Sequence, residues 1–214
     1  MGTTVGDVMT TRVIAVTRDA DFKQIASVLR QYRVSACPVI DDAGRVVGVV
    51  SEADLLYKAA DCELPAGLIR LRWKLGEESK ITAVTARELM TSPAVTVQAD
   101  APVQVAARVM RDRRLKRLPV VGAGGKLLGI VTRTDVLGVY DRPDADILDA
   151  VKIIVADEFG TSPDAVEVSV SSGVVTLCGS VPLPEMALEL AARIRHIEGV
   201  VAVRDRLAVG QPID

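Results

Sequence analysis

Two short motifs in this sequence place a carboxylate three residues after a hydroxyl. They are Ser51-Glu52-Ala53-Asp54 and Thr132-Arg133-Thr134-Asp135. A hydroxyl at the end of a strand can hydrogen-bond a phosphate oxygen beside the free N–H groups of a helix start. A carboxylate one turn later can accept hydrogen bonds from both hydroxyls of a ribose. The same spacing also caps a helix, with the hydroxyl as the N-cap and the acid in the first turn. The motif alone leaves both interpretations open.

The only dense basic stretch is RDRRLKR, residues 111–117. It fits three interpretations: the solvated end of a helix, a pocket for a polyphosphate, or a contact with nucleic acid. No aromatic residues interrupt the run to stack on bases, and the net charge of the chain is −2. Nucleic acid is therefore the least favoured of the three partners.

The sequence gives little support for catalysis. His196 is the only histidine, and the three cysteines, Cys37, Cys62 and Cys178, are scattered. The glycine-rich residues 122–126 resemble a phosphate loop, but Leu127 stands where Ser or Thr should bind magnesium. We therefore expect a protein that is not an enzyme and has no metal site and no cofactor. The scattered thiols also predict a reducing compartment.

An internal repeat organises the first two thirds of the 214-residue chain. Residues 7–56 align without a gap on residues 88–137, and sixteen of the 50 positions are identical. The identities include Met9 with Met90 and Asp54 with Asp135. The two hydroxyl–carboxylate motifs are thus equivalent positions of two copies of one structural unit.

Each copy shows the pattern of a β-α-β-β-α unit. A short strand (13–16 and 95–97) precedes a helix whose apolar residues follow i, i+3, i+4, i+7 spacing. Two apolar strands follow, joined by turns in which Gly44 and Gly125 supply positive φ, and a second helix begins near Asp54 or Asp135. Such a unit is too small to bury both of its faces, so we expect the copies to pack as a pair. Residues 61–83 between them fit either a helical stripe or a period-2 alternation, and we interpret them as a partly ordered linker that packs Trp73 on a neighbouring domain.

The repeats resemble the CBS domain, and the pair resembles a Bateman module. The resemblance is carried by Met9-Thr10 and Met90-Thr91, by RVSACPVID and KRLPVV, and by the endings GVVSEAD and GIVTRTD. It implies two clefts, each combining the hydroxyl–carboxylate motif of one repeat with the first strand and the pre-proline segment of the other. It also implies a homodimer formed through helices.

The resemblance assigns ligand-binding residues to both clefts. In the first cleft they would be Thr10, Ile14, Val34, Ser35, Ala36, Thr132, Arg133 and Asp135. In the second cleft they would be Thr91, Val95, Leu115, Lys116, Arg117, Ser51 and Asp54. Apolar side chains there would sandwich a purine whose edge is bound by backbone groups. The first cleft matches the family pattern better, because the second has Lys116 and Arg117 where small residues are common.

The remaining residues follow an α-β-β-α-β pattern. A helical stripe covers 146–158, strands cover 166–170 and 174–178, a helix begins at Pro184 and a last strand covers 200–209. This region resembles the BON domain, notably in SGVVTLCGSV and IEGVVAVRDRL. Arg204 and Arg206, two apart in the last strand, are expected on one face of it.

The sequence therefore predicts an α+β protein with two pseudo-symmetric CBS repeats and a small BON-like domain. The predicted bounds are 1–60 and 84–140 for the repeats, 61–83 for the linker and 141–214 for the BON-like domain. We expect a cytoplasmic regulatory protein that binds an adenine nucleotide (AMP, ADP or ATP) or S-adenosylmethionine, as a homodimer with an additional protein partner. The alternative is a non-catalytic adaptor whose BON-like domain contacts a phospholipid membrane surface or a partner protein. We expect only weak attachment of that domain to lipid.

Overall fold

The apolar stripes of both repeats form helices that pack on small sheets in the computed structural model, which describes residues 2–60, 83–159 and 165–210. This chain divides into two units, one from Thr4 to Arg133 and the other from Thr134 onward together with the residues before Thr4. The predicted linker, except Ala83, lies outside the described residues, as does Cys62. No helix in the described ranges is long and apolar enough to cross a membrane.

The first repeat forms a three-stranded sheet with helices. Its elements are α1 (Val5–Val8), β1 (Val16–Thr17), α2 (Phe22–Tyr32), β2 (Ala36–Ile40), β3 (Val46–Ser51) and α3 (Glu52–Ala60). The sheet order is β1-β2-β3, with β1 parallel to β2 and β2 antiparallel to β3. The first strand is shorter and begins later than predicted, because only Val16 and Thr17 pair with β2.

The second repeat follows the same plan. Its elements are α4 (Ala86–Leu89), β4 (Val97–Gln98), α5 (Val103–Asp112), β5 (Arg117–Val121), a 3₁₀ turn (Ala123–Gly125), β6 (Leu127–Thr132) and α6 (Arg133–Leu137). Pro119 pairs with Ile130 as Pro38 pairs with Val49. Gly44 and Gly125 both have positive φ, 73° and 77°, so the predicted turn conformation is confirmed.

The predicted helical stripe of the first repeat forms a buried core. Ile25 and Leu29 of α2 are buried, and Phe22 and Ala26 pack against them at the edge of the cluster. Three residues that precede β4 join the same cluster: Ala83, the last residue of the predicted linker, and Ala86 and Leu89 of the second repeat. We call the described residues before β1 (2–15) and before β4 (83–96) the lead-in segments of the first and second repeats. Each sequence repeat is therefore not an isolated packing unit, because the lead-in segment of the second repeat completes the core of the first.

The second unit contains the predicted α-β-β-α-β order. After a 3₁₀ turn (Gly138–Asp141) come α7 (Asp144–Phe159), β7 (Val166–Ser171), β8 (Val174–Val181), α8 (Pro184–Ile194) and β9 (Ala202–Val209). The sheet order is β7-β8-β9, with β8 antiparallel to β7 and parallel to β9. Strand β8 continues past the predicted end at Cys178 because β9 pairs with it as far as Val181.

Local side-chain contacts fix the β7–β8 hairpin against α7. Ser172 and Gly173 form its two-residue turn, with φ of 52° and 72°. Their N–H groups donate to the Asp144 carboxylate at 2.7 and 2.8 Å. In β9, Arg204 pairs with Thr176 and Arg206 pairs with Cys178, so the two arginines share one face of the strand as predicted.

Candidate ligand-binding cleft

Reciprocal pairing of the lead-in segments holds the two repeats together. Thr91, from the lead-in of the second repeat, exchanges backbone hydrogen bonds of 3.1 and 2.9 Å with Val49 of β3. Thr10, from the lead-in of the first, exchanges two of 2.9 Å with Ile130 of β6. As a result, the residues after Thr91 lie beside the end of β3, where Ser51 begins the hydroxyl–carboxylate motif.

Two equivalent glycines permit this close approach. A Cβ at Gly48 would lie 2.8 Å from Cγ of Met90 and 3.0 Å from the Thr91 carbonyl oxygen. A Cβ at Gly129 would lie 3.0 Å from Cγ of Met9 and 2.9 Å from the Thr10 carbonyl oxygen. Both distances are below ordinary van der Waals contact, so only glycine fits at these positions without local movement.

A cavity of about 420 Å³ opens where the two repeats meet. From the first repeat it is lined by Ser35, Ala36, Val49, Ser51, Glu52, Ala53, Asp54 and Leu56. From the second repeat it is lined by Thr91, Pro93, Ala94, Val95, Arg114, Leu115, Lys116 and Arg117. The structure thus brings together all seven residues predicted for the second cleft, and we keep that name for this cavity.

The hydroxyl–carboxylate motif of the first repeat caps α3 and also lines the second cleft. The Asp54 carboxylate accepts hydrogen bonds from the Ser51 N–H at 2.9 Å and from the Ser51 hydroxyl at 2.7 Å. Asp54 is 7% exposed and is a buried acid within the described core. The two interpretations of the motif are therefore compatible, because the capping carboxylate also borders the cavity.

Arg117 extends from the first residue of β5 to the start of β2. Its guanidinium donates to the Ser35 hydroxyl at 2.5 Å and to the Ala36 carbonyl at 3.2 Å. Ala36 is the residue of the first repeat equivalent to Arg117. The next residue, Cys37, is fully buried, and this burial raises the pKa of its thiol to about 11, although the positive charge of Arg117 opposes the shift. Cys37 is thus a core thiol with little thiolate at neutral pH.

The basic run divides between the cleft and the solvent. Arg114, Lys116 and Arg117 line the second cleft, whereas Arg111 pairs with the adjacent Asp112 at 2.9 Å. Arg114 has positive φ, 55°, where the chain leaves α5 and turns towards β5. The Arg133 side chain donates to the Leu115 carbonyl at 2.8 Å, which fixes the segment between Arg114 and Lys116. The run is therefore both a helix end and one wall of a cavity.

The residues predicted for the first cleft have more varied positions. Thr10 pairs with β6, Ile14 and Val34 are half-buried in the segments before β1 and β2, and Ser35 and Ala36 line the second cleft. Thr132 ends β6, and Arg133 and Asp135 belong to α6. Ligand binding by the first cleft stays a prediction.

Several lining residues of the second cleft were not predicted, although the sequence contained a signal for most of them. Val49 lies two residues before Ser51 on the same strand and therefore faces the same side. Glu52 and Ala53 are the central residues of the motif, and Pro93 and Ala94 lie between the predicted Thr91 and Val95. Whether Leu56 and Arg114 line the cavity depends on how α3 and the end of α5 are oriented, and the periodicity of the sequence does not determine that orientation.

His196 and the glycine-rich residues 122–126, which the sequence analysis considered for chemistry, do not line the second cleft. In the part of the chain that the structure describes, no three His, Cys, Asp or Glu residues are grouped so that they could hold a metal ion. His196 is exposed, and its ring Nδ1 lies 2.8 Å from the Ala192 carbonyl oxygen at the end of α8. The glycine-rich residues 122–126 form the turn between β5 and β6.

Comparison with known proteins identifies both kinds of domain. The CBS-domain profile matches residues 5–61 and 86–142, and the BON-domain profile matches residues 143–211. The CBS domain-containing protein CBSX2 of Arabidopsis thaliana, a chloroplastic protein, is 34% identical over 149 residues, which cover 64% of this chain and 63% of CBSX2. Inosine-5'-monophosphate dehydrogenase of Mycobacterium tuberculosis is 25% identical over 158 residues, but the match covers only 26% of that enzyme.

Solved CBS pairs have the same fold. The crystal structure of CBSX2 in complex with AMP has a TM-score of 0.56 and 33% identity, and covers 64% of this chain and 95% of that one. The CBS pair of protein MJ0100, in complex with 5'-methylthioadenosine and S-adenosyl-L-methionine, has a TM-score of 0.53 and 22% identity over 66% of this chain and 98% of that one. The chain therefore belongs to the CBS-domain family, as a tandem CBS pair followed by a BON domain.

Proposed function

We propose that this chain is a regulatory protein that senses an adenine nucleotide or a related adenosyl ligand bound between its CBS repeats. The observation that carries the proposal is the second cleft, in which the Ser51–Asp54 motif of one repeat faces the same cavity as Thr91, Val95 and the pre-proline segment of the other. A ligand there would contact both repeats at once.

The dimensions and chemistry of the second cleft suit an adenosyl ligand. Its volume of about 420 Å³ falls within the roughly 300–1,000 Å³ of small-molecule sites. Val49, Val95 and Leu115 supply apolar surface for a purine, and Asp54 supplies a carboxylate that accepts hydrogen bonds from ribose hydroxyls. The AMP complex of CBSX2, a relative with 33% identity, supports the same class of ligand for this chain.

The reciprocal pairing of lead-in segments provides a route from binding to regulation. Thr91 is hydrogen-bonded to Val49 of β3, and residues 93–95 line the second cleft. A ligand in the second cleft would therefore contact the segment through which the second repeat pairs with the first. A ligand shifts a conformational equilibrium only by its difference in affinity for the two states. Because residues of both repeats form the site, a change in the packing of the repeats would change the affinity of the site for its ligand.

The wider role is also part of the proposal. We propose a non-catalytic protein whose BON domain, or a protein partner bound to it, receives the signal from the CBS pair. A homodimer and a cytoplasmic location stay predictions from the sequence.

Isothermal titration calorimetry of the full chain with AMP, ADP, ATP and S-adenosylmethionine tests the proposal. At least one should bind with micromolar affinity, and Asp54→Ala should weaken it by roughly 1.5–3 kcal/mol, the range for hydrogen bonds to a charged group. Asp42→Ala, which removes an exposed acid outside the cavity lining, is the matched control. Absence of binding below millimolar concentration, or equal affinity in Asp54→Ala, would reject an adenosyl sensor at this site.

A further inference from the structure

The sheet of the second unit has two edge strands, and one of them is long and exposed. Its order is β7-β8-β9, so within the described residues β7 and β9 form the edges. Strand β9 has eight residues, none of them buried. It pairs with β8 along its whole length without a register shift, whereas both CBS sheets contain one. Such an edge presents a row of backbone groups with which a further strand can pair.

Alternation along β9 shows which of its backbone groups point away from β8. The Gly210 N–H, just after the strand, donates to the Val181 carbonyl of β8 at 3.2 Å. Backbone groups of even-numbered residues therefore face β8, and those of odd-numbered residues face outward. The Leu207 N–H agrees with this assignment, because it donates to the side chain of Asp205 at 2.9 Å.

Strand β7 presents an outward row of its own. Ser171 and Val174 flank the two-residue turn and are partners in the β7–β8 ladder. Residues beside such a turn form a hydrogen-bonded pair, so the backbone groups of Ser171 face β8. Because the direction alternates along a strand, the groups of Val166, Val168 and Val170 face outward. Both edges of the sheet can therefore accept another strand.

The side chains of the two edges are complementary. Glu167 of β7 and Arg206 of β9 are both exposed, and they share one face of the sheet because each pairs with Cys178 of β8. On the other face, four apolar residues of the edge strands belong to the core cluster or pack against it: Val166, Val170, Val203 and Leu207. Each edge thus has a charged face and an apolar face, and the charges have opposite signs.

We propose that the second unit associates head to tail with a second copy of this chain, β9 of one copy pairing antiparallel with β7 of the next. The outward groups allow a register in which Val168 of the next copy lies opposite Asp205. In that register Glu167 of the next copy lies opposite Arg206. The apolar pairs are then Val166 with Leu207 and Val170 with Val203. Cross-strand pairs of opposite charge and of apolar residues are those that stabilise a sheet. This contact does not involve the second cleft.

Pairing of β9 with β9 of another copy is disfavoured by the charges at its centre. A two-fold axis at Asp205 would place Arg204 opposite Arg206 of the other copy, and an axis at either arginine would place that arginine opposite itself. Like charges directly opposite destabilise a sheet. Strand β7 has Glu167 and no cation, so it fits this edge better than a second β9 does. The contact is therefore heterologous, which builds rings or filaments.

Sedimentation velocity of the full chain from about 10 μM to about 1 mM tests the inference. The weight-average mass of the native chain should rise with concentration. Glu167→Arg and Arg206→Glu should each weaken the association about 2- to 30-fold, because an attractive cross-strand pair becomes repulsive. The two changes together should restore it, since opposite charges again face each other.

Asp205→Ala tests the register separately. In the proposed register the Leu207 N–H donates to the Val166 carbonyl of the next copy, so it must first leave the Asp205 carboxylate. Removing this competing acceptor should tighten the association. Equal or weaker association of Asp205→Ala would contradict the register.

Arg195→Glu is the matched control, since Arg195 is exposed but ends α8 and lies outside the sheet. It should leave the association unchanged, and thermal melting should confirm that each variant folds. The inference is overturned if the mass of the native chain does not change with concentration, or if the double variant associates no better than the single ones. Association that neither single reversal weakens, as expected of contacts through the CBS pair, also overturns it, as does an equal loss in Arg195→Glu.

Discussion

The two pre-proline segments, residues 34–36 and 115–117, occupy equivalent positions of one repeated unit but differ in side-chain chemistry. In the first repeat they are Val, Ser and Ala, and in the second they are Leu, Lys and Arg. Each segment ends on the first residue of a strand, Ala36 of β2 or Arg117 of β5, and the two strands pair with their neighbours in the same register. The comparison shows that the backbone is duplicated faithfully in the two repeats, whereas the side chains of these two segments have diverged, so the pseudo-symmetry of the fold does not extend to their chemistry.

The largest loss of stability is expected on substitution of the two equivalent glycines, Gly48 and Gly129, that contact the lead-in segments. Gly48→Ala and Gly129→Ala should each destabilise the chain by about 1–3 kcal/mol, because the new Cβ enters the space of Met90 or Met9 and of a paired carbonyl. Urea unfolding followed by circular dichroism measures the change.

Gly138→Ala is the control for these variants, since a Cβ there meets no atom within 4 Å. It should change the free energy of unfolding little. If Gly48→Ala and Gly129→Ala are as stable as this control, close pairing of the lead-in segments does not hold the repeats together. If only one of them is destabilised, the exchange is less symmetric than the backbone indicates.

A smaller effect is expected at the first turns of α2 and α5, which are equivalent helices with different caps. The Asp21 carboxylate accepts a hydrogen bond from the Gln24 N–H at 2.8 Å, whereas Pro102, at the equivalent position, caps nothing with its side chain. Asp21→Ala should therefore cost about 1 kcal/mol of stability. Pro102→Ala, which removes no cap, should cost less in the same denaturation experiment, and an equal cost would contradict the difference between the two helices.

Much of the fold was predictable because it depends on local signals. The i, i+3, i+4, i+7 residues Ile25 and Leu29 do lie in a buried helix face, and the turn glycines have the positive φ expected of them. The bounds that were wrong depend on long-range pairing. Residues 13–15 are apolar enough for a strand, but only Val16 and Thr17 reach β2.

The cavity was predictable in its residue types but not in its complete composition. The resemblance selected Ser51, Asp54 and the segment near Arg117, and the structure brings them together. It placed Ser35 and Ala36 only in the first cleft, because a sequence alignment does not show that Arg117 reaches across to them. Contacts made by a long side chain between two repeats are not encoded in the periodicity of either one.

A crystal structure of the full chain grown with AMP would show directly where the nucleotide binds. We expect electron density for the nucleotide in the second cleft, with ribose hydroxyls within about 3.2 Å of the Asp54 carboxylate and the phosphate on the side of Arg117. A nucleotide bound outside this cavity, or an occupied cavity in which neither Asp54 nor Arg117 touches the ligand, would contradict it.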